Sequence, residues 1–365
     1  MKELTVKSLL DSASSWLDAT GPENDIILSS RIRLARNMAQ YPFVSRSTTD
    51  DMAEILENVL SASSHCHSLA TAGFADMTDM DELDRKILVE RHLISPDFGS
   101  GTWPRGALIK DDEKLSIMIN EEDHLRLQAI VSGLNMGTAW NTLSRVDDEL
   151  SVRLKYAFSE KYGYLTACPT NAGTGMRVSV LIHLPGLVLT KDIDETLKGV
   201  TQIGLSVRGF YGEGTEVLGN LFQISNHTTL GKTEEEIIET ISQVITQIIG
   251  FERRACETLL KEARTHIEDK IWRAYGILNH VRLLTSKEFM SLSSAVRLGI
   301  SLGIIDNITM KSLNQLMVLV QPAHLQKLLG ATMEAGERDF FRANMVREHL
   351  MKTRRKRDTK KKNED

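Results

Sequence analysis

Four short stretches of this chain carry side chains of the kind that chemistry uses. Ser-Ser-Arg-Ile-Arg, residues 29–33, puts Arg31 and Arg33 two apart, so that in an extended segment they share a face. Asn-Glu-Glu-Asp-His-Leu-Arg, residues 120–126, gathers Glu121, Glu122, Asp123, His124 and Arg126 into one run. Cys-Pro-Thr-Asn-Ala-Gly-Thr-Gly-Met-Arg, residues 168–177, sets a thiol beside a proline and ends on Arg177. Arg-Gly-Phe-Tyr-Gly-Glu-Gly, residues 208–214, joins Arg208 to Glu213 between two glycines. Arginine forks bind phosphate and carboxylate, carboxylates serve as general bases, and a thiol beside cations is held as thiolate. Each stretch alone has an ordinary reading. A pair of arginines is usually a solvated face, a Glu-Glu-Asp run a helix start, and a cysteine a small buried hydrophobe.

Two other stretches imitate nucleotide loops and fail on spacing. Gly231-Lys232-Thr233 suggests a phosphate loop, but the glycine required five positions earlier is Asn226. Gly212-x-Gly214 lacks a third glycine at dinucleotide spacing. A nucleotide bound here needs another device.

The elements that must position these side chains form a mixed pattern. Runs rich in β-branched and aromatic residues at 115–120, 162–169, 176–185, 201–210 and 220–227 read as strands. Residues 49–62 and 81–94 have helical spacing, with Ser-Thr-Thr-Asp-Asp supplying N-cap candidates. Strands and helices without a strict βαβ rhythm imply an α+β fold. From about residue 233 the helical period is almost continuous to about 284, acids cluster at its start, and helical texture persists to about 350. Residues 1–23 have amphipathic helical spacing, 24–255 form the mixed domain and 256–352 an all-α domain. The basic end, 353–365, has no apolar residue and reads as a disordered tail, solvated or touching acidic partners or nucleic acid.

Composition narrows the class. The chain has 365 residues, 41% hydrophobic and 25% charged, as in soluble globular proteins. A net charge of −5 does not make the whole chain a nucleic-acid binder. Its three cysteines, Cys66, Cys168 and Cys256, have no Cys-x-x-Cys spacing, which argues against a disulfide framework or protein-held metal and for a reducing cytoplasm. No apolar run approaches the roughly 20 residues of a membrane helix, and the N-terminus lacks the apolar core of a signal peptide.

Together, the four stretches resemble the signatures of the ATP:guanidino phosphotransferases, the phosphagen kinases, in that family's order. Cys-Pro-Thr-Asn-Ala-Gly-Thr matches the Cys-Pro-Ser/Thr-Asn-x-Gly-Thr pattern, and Asn-Glu-Glu-Asp-His, Ser-Ser-Arg-Ile-Arg and Arg-Gly-x-x-Gly-Glu-Gly complete the set over roughly residues 24–255. The resemblance implies an antiparallel sheet flanked by helices and a reaction of ATP with a guanidinium. A guanidinium is a poor nucleophile, because it is protonated and delocalised. One carboxylate must hold its plane and a second must aim the attacking nitrogen and take its proton. By resemblance Glu122 is the base, Glu213 its partner, and Cys168 an auxiliary anion rather than a covalent nucleophile. Neighbouring arginines are expected to keep that thiol ionised. Arg31, Arg33, Arg126, Arg177 and Arg208 match the phosphate-binding arginines, with Ser29 and Ser30 beside them. Mg2+ is expected between the phosphates, held by ATP oxygens and water. His92 is expected to stack on the adenine; His124 reads equally as a structural hydrogen bonder.

The layout departs from creatine and arginine kinases. Their N-terminal helical domain of roughly a hundred residues, with its substrate loop, has no counterpart, and the helical domain follows instead. An open cleft that admits an arginine on a polypeptide is therefore expected. This layout is similar to the bacterial protein arginine kinases, whose regulatory Arg-Asp-x-x-Arg-Ala motif matches Arg338–Ala343. Its ordinary reading is a helix surface with i,i+4 charges. The resemblance implies a phosphoarginine site of Arg338, Asp339 and Arg342 with positive feedback. It also implies a heat-shock repressor as substrate, a zinc-binding activator protein and a Clp-type protease or unfoldase as partners, and a part in stress response. Surface Leu and Met of the helical region suggest a homodimer. Two other readings are a small-molecule guanidino kinase and a non-catalytic adaptor for a regulator or protease complex; the full arginine set argues against the adaptor.

Overall fold

The computed structural model describes residues 2–10, 14–209 and 217–361. Its strands are β1 (Lys2–Glu3), β2 (Ile27–Arg36), β3 (Ala72–Asp76), β4 (Gly106–Lys110), β5 (Leu115–Ile119) and β6 (Leu125–Ser132). They continue with β7 (Phe158–Ser159), β8 (Gly163–Tyr164), β9 (Met176–His183), β10 (Leu205–Gly209) and β11 (Leu221–Asn226). Among the described residues, nine of them make one sheet in the order β1-β3-β4-β5-β6-β2-β9-β11-β10. Every neighbour pair is antiparallel except β1 with β3.

The first helices are α1 (Val6–Leu10), α2 (Thr49–Ser63), α3 (Glu82–Glu90), α4 (Pro96–Ser100) and α5 (Met136–Ser151). Then come α6 (Pro185–Thr190), α7 (Ile193–Gln202) and α8 (Glu234–Glu262). The C-terminal set is α9 (Arg264–His280), α10 (Ser286–Ser301), α11 (Met310–Leu319), α12 (Pro322–Leu329) and α13 (Ala335–Lys361). Local chemistry explains the boundaries. Thr48 caps α2 and Thr233 caps α8 through reciprocal capping boxes with Asp51 and Glu236.

The sheet has two unlike faces, because side chains alternate along a strand. Ile32, Leu34, Leu127, Ala129, Val178, Val180 and Ile224 form one, fully buried with apolar residues of α5 and α8. The other carries polar residues at its centre. At one end of that second face, Leu181 and Leu221 join the core of α9–α13. The C-terminal helices thus cover one end of the polar face and leave its centre clear.

Several expected elements differ in the structure. The N-terminal helix is instead β1, the short α1 and a 3-10 turn at Ser15–Leu17. Edge pairing with β3 and burial of Trp16 and Leu17 between Ile130 and Val318 prevail over the helical period. The strand expected over 162–169 is extended only at Gly163–Tyr164. Beyond it, side chains take the backbone groups a ladder would use: Asn37 bonds the Leu165 carbonyl, Asp123 the Ala167 N–H, and Thr166 the Cys168 carbonyl. Thr201 and Gln202 end α7, and β10 begins at Leu205. The helix expected through residue 94 stops at Glu90, and His92 has a φ of +59°. The long helical run is broken at Ala263 (φ −137°) and again after His280. Helix α13 continues through Lys361, consistent with the good helix propensity of Lys and Arg.

Candidate active site

The polar face is built by register. Arg33 of β2 stands opposite Arg177 of β9 and Gln128 of β6, and Arg31 opposite Ser179. Ala35 stands opposite Arg126, Ser179 opposite Ser225 of β11, and Arg208 of β10 opposite Gln223. Directly opposite residues share a face. Arg31, Arg33, Arg126, Arg177 and Arg208, drawn from four strands, therefore emerge on the same side of the sheet. Ser29 joins them. Ser30 does not: it points the other way, is fully buried, donates to the Gly133 carbonyl at 2.8 Å and accepts from the Asn135 N–H at 3.0 Å. From β2 it braces the turn between β6 and α5.

Polar neighbours tether the arginines only in part. Arg31 donates to Gln223 Oε1 at 3.0 Å and to Ser179 Oγ at 3.4 Å. Arg177 donates to Ser225 Oγ at 3.1 Å. The buried Nε atoms of Arg33 and Arg177 have no partner, and an unpaired buried donor is costly. Burial, then Arg126 and Arg177, draw Arg31 down to about 10. Burial, then Arg31, Arg126 and Arg177, hold Arg33 well below its ordinary value, with Glu121 opposing. Burial lowers Arg177 too, with Arg208 and Arg126 adding to it and Cys168 working against it. Cations crowded together with unsatisfied donors fit a polyanion such as a triphosphate.

The Asn-Glu-Glu-Asp-His segment is the hairpin between β5 and β6, tightened by Asn120 at φ +63°. Within it the carboxylates take different roles. Glu121 is bonded to Arg126 Nη1 at 2.5 and 2.6 Å and accepts from Ser95 Oγ at 2.6 Å. Burial works against its charge, but Arg126 and these bonds keep its pKa below the usual range. Glu122 is exposed at the hairpin tip. Its pKa is raised, first by desolvation, then by Asp123, with Arg126 opposing. Asp123 is buried, and its Oδ1 accepts from Asn37 Nδ2 at 2.6 Å and from the Ala167 N–H at 2.7 Å. His124 accepts the Met38 N–H on Nδ1 at 3.0 Å, and its Nε2 lies 2.8 Å from the Pro42 carbonyl, a structural role.

Cys168 is half-buried in the loop that Asp123 holds. Its Sγ lies 3.0 Å from Thr170 Oγ1, and a 3-10 turn over Pro169–Asn171 follows it. Gly173 has a φ of +110°, and a Cβ there would meet Thr229 O at 2.9 Å, so the motif needs glycine at this point. Arg36, buried on Asp147 at 2.7 Å and bonded to the Thr174 carbonyl, clamps the far end of the loop to α5.

His92 lies at the other end of the polar face, in a narrow slot with Ser29, Arg31 and Trp16. Burial, then Arg31, lower its pKa to about 3, so the ring is neutral. Glu213 lies outside the described residues, as do Gly212 and Gly214. In the helical region Arg342 faces inward and is buried. It donates to the carbonyls of Val320 at 3.0 Å and Leu284 at 2.8 Å and to Asp339 at 2.5 Å. Arg338 is half-buried and donates to the Met333 carbonyl at 2.6 Å. Arg342 is thus bonded within the helical core, whereas Arg338 lies nearer the surface.

Sequence reasoning gave no role to Asn37, to Asp123 as a tie between loops, to Glu121 as the partner of Arg126, or to Trp16. One signal was available. The polar residues of the face recur at period two, as Arg126/Gln128, Arg177/Ser179, Ser206/Arg208 and Gln223/Ser225.

Comparison with known proteins places the chain in a family. Residues 51–255 match the family described as ATP:guanido phosphotransferase, C-terminal catalytic domain, and residues 264–362 match the protein-arginine kinase McsB C-terminal domain. A protein-arginine kinase of Desulforamulus reducens is 47% identical over 340 residues, 92% of this chain and 95% of that protein. One from Halothermothrix orenii is 47% identical over 350 residues, 96% of this chain and 99% of that protein. The duplicated taurocyamine kinase of Schistosoma mansoni, solved with transition-state-analogue components, superposes with a TM-score of 0.58 at 29% identity. That match covers 67% of this chain and about a third (35%) of the longer taurocyamine kinase. With both parts of its length matched and near-full-length relatives at this identity, the chain belongs to the protein-arginine kinases of the ATP:guanido phosphotransferase family.

Proposed function

We propose that this chain transfers the γ-phosphoryl group of ATP to arginine side chains of proteins. The observation that carries the reading is the convergence of five arginines from four strands on one sheet face, beside a hairpin that presents Glu122. ATP supplies the phosphoryl group. The arginines bind its phosphates and follow charge as it shifts during transfer, with Arg33 and Arg177 offering unsatisfied N–H groups. Glu122, exposed and with a raised pKa, orients the attacking nitrogen of the substrate guanidinium and takes its proton. Cys168 steadies the guanidinium from the neighbouring loop, which the Asp123–Ala167 bond ties to the Glu122 hairpin. Glu213 is proposed as the second carboxylate on sequence grounds alone. Mg2+ is proposed to enter with the nucleotide, held by phosphate oxygens and water. Glu121, the carboxylate within the arginine face, is already bonded to Arg126 and offers the ion little.

Further proposals follow from the family resemblance. The chain divides at 255/256 into catalytic and regulatory parts. It acts in the cytoplasm on a heat-shock repressor among other proteins, with a zinc-binding activator and a Clp-type protease as partners, and works as a homodimer in stress response. Among the described residues no helix is long and apolar enough to cross a membrane. The deciding experiment incubates the chain with labelled ATP and a folded basic protein. Acid-labile phosphate on arginine is expected, and little on free arginine offered in its place. Preferential phosphorylation of free arginine would favour a small-molecule guanidino kinase, and no transfer at all an adaptor.

A further inference from the structure

Trp16 belongs to the N-terminal segment, which the matched family regions do not include. It is fully buried, and its indole Nε1 has no hydrogen-bond partner. Its ring meets His92 edge-on, with centroids 5.6 Å apart and planes at 71°. Together the two rings line one narrow slot with Ser29, Arg31, Ser179 and Gln223, all on the arginine face. The slot lies up β2 from the phosphate end of that face. Four residues of strand separate Arg33 from Ser29, about 13 Å, a distance that a triphosphate and ribose span. Arg31 connects the two ends.

We infer that Trp16 is a nucleotide-recognition residue: with His92 it forms the aromatic wall that receives the base, and its unpartnered N–H is the donor available to a ring nitrogen or ribose oxygen. The inference rests on the arginine face being the nucleotide site and adds to it the element that reads the base. Three features favour this role over a plain core tryptophan. The wall contains a neutral imidazole and polar side chains, not only hydrocarbon. A buried indole N–H ordinarily finds an acceptor, and this one is left for a ligand to supply. Finally, the indole is carried by a 3-10 turn of three residues, Ser15–Leu17, rather than by a strand of the sheet, so its place against His92 is set apart from the strands that carry the arginines. The turn is held from behind by α11, through Val318 against Trp16 and Asn314 Nδ2 to the Leu17 carbonyl at 3.2 Å. The helical region therefore backs the base end of the cleft.

The test compares ADP, which has a base, with inorganic tripolyphosphate, which has none. Binding of each to the full chain is measured by calorimetry. Trp16→Leu keeps the apolar contact with Ile130 and Val318 but removes ring and donor. It is expected to weaken ADP binding roughly tenfold, the scale of one base–aromatic stack, and to leave tripolyphosphate binding in place. The KM for ATP rises more than kcat falls. Trp16→Phe keeps a ring and loses the donor, so an intermediate loss is expected. It also carries the test should the leucine variant fold poorly, which thermal melting reports. Equal weakening of both probes, or ADP binding unchanged in Trp16→Phe and Trp16→Leu alike, overturns the inference. If the unaltered chain binds neither probe, the nucleotide reading of the arginine face fails first and takes the inference with it.

Discussion

The Ala167 N–H donates to Asp123 Oδ1 at 2.7 Å, and that bond ties together the two loops that present Glu122 and Cys168. Asp123 follows Glu122 in the chain, and Ala167 precedes Cys168. Asn37, just past β2, completes the tie: its Nδ2 reaches Asp123 at 2.6 Å and the Leu165 carbonyl at 3.0 Å, and its Oδ1 accepts the His124 N–H at 2.9 Å. One buried amide thus fixes the Glu122 hairpin, the Cys168 loop and the end of β2 relative to one another.

Replacing Asn37 by Ala removes three such bonds, and a misplaced base is costly to rate. Transfer to protein arginine is expected to fall by about 10²-fold, while ADP binding, assigned above to the arginines, is expected to change little. Asn37→Asp sets two carboxylates against each other and is expected to be worse at neutral pH than in acid. The exchange variant, Asn37→Asp with Asp123→Asn, restores a donor–acceptor pair and should recover part of kcat. Failure of the exchange to exceed both single variants would count against positioning by this pair.

Cys168 is expected to assist without bonding to phosphorus. Cys168→Ser keeps a small polar group but removes the sulfur, and one hydrogen bond to a charged group is worth roughly 1.5–3 kcal/mol. The expected loss in kcat/KM is about 10- to 100-fold. Intact-mass measurement during turnover should find no phosphorylated cysteine. A trapped phosphocysteine, or complete loss of activity in the serine variant, would reassign the residue as nucleophile.

The expected pH profile follows from the surroundings of Glu122 and Arg31 in their proposed roles. A general base must be deprotonated, and the pKa of Glu122 is raised, chiefly by desolvation and then by Asp123. Activity is therefore present above the raised value and falls as pH drops through it, in a limb that lies above that of an ordinary glutamate. On the alkaline side Arg31, drawn down to about 10 by burial and then by Arg126 and Arg177, is charged below that value and loses its charge above it. Nucleotide affinity should weaken as pH rises through this region. A kcat profile together with ADP binding across the range separates the limbs, because the first belongs to chemistry and the second to binding.

How much of this was legible in the sequence depended on how local the information was. The arginines could be found because strand alternation and short motifs are written in adjacent residues. Capping at Thr48 is written in the Ser-Thr-Thr-Asp-Asp run itself. The contacts that make the site work are of another kind. Asn37 meets Asp123 and Leu165 across long stretches of chain, and Leu17 meets Asn314 at a separation of 297 residues. Nothing in the local pattern reports such pairs. The N-terminal residues, read as an amphipathic helix, were recruited by burial against two distant elements. Ser29 and Ser30 sit side by side in the motif, but period two places them on opposite faces, and alternation alone separates them.

Arg342 offers the sharpest division between fold and regulation. Its guanidinium is buried and bonded to the carbonyls of Val320 and Leu284 and to Asp339, joining three parts of the helical region. Arg342→Ala orphans two buried carbonyls and is expected to lower stability by about 3 kcal/mol, seen as a lower midpoint in thermal or urea unfolding. Arg338→Ala gives up one bond to Met333 and is expected to cost less than about 1 kcal/mol. If a phosphoarginine site operates here, Arg338→Ala abolishes the response of kinase activity to added phosphoarginine without moving the melting curve. Arg342→Ala loses that response only together with stability. Loss of the response in Arg342→Ala at full stability would mean that this side chain turns outward to bind ligand, against its present bonds.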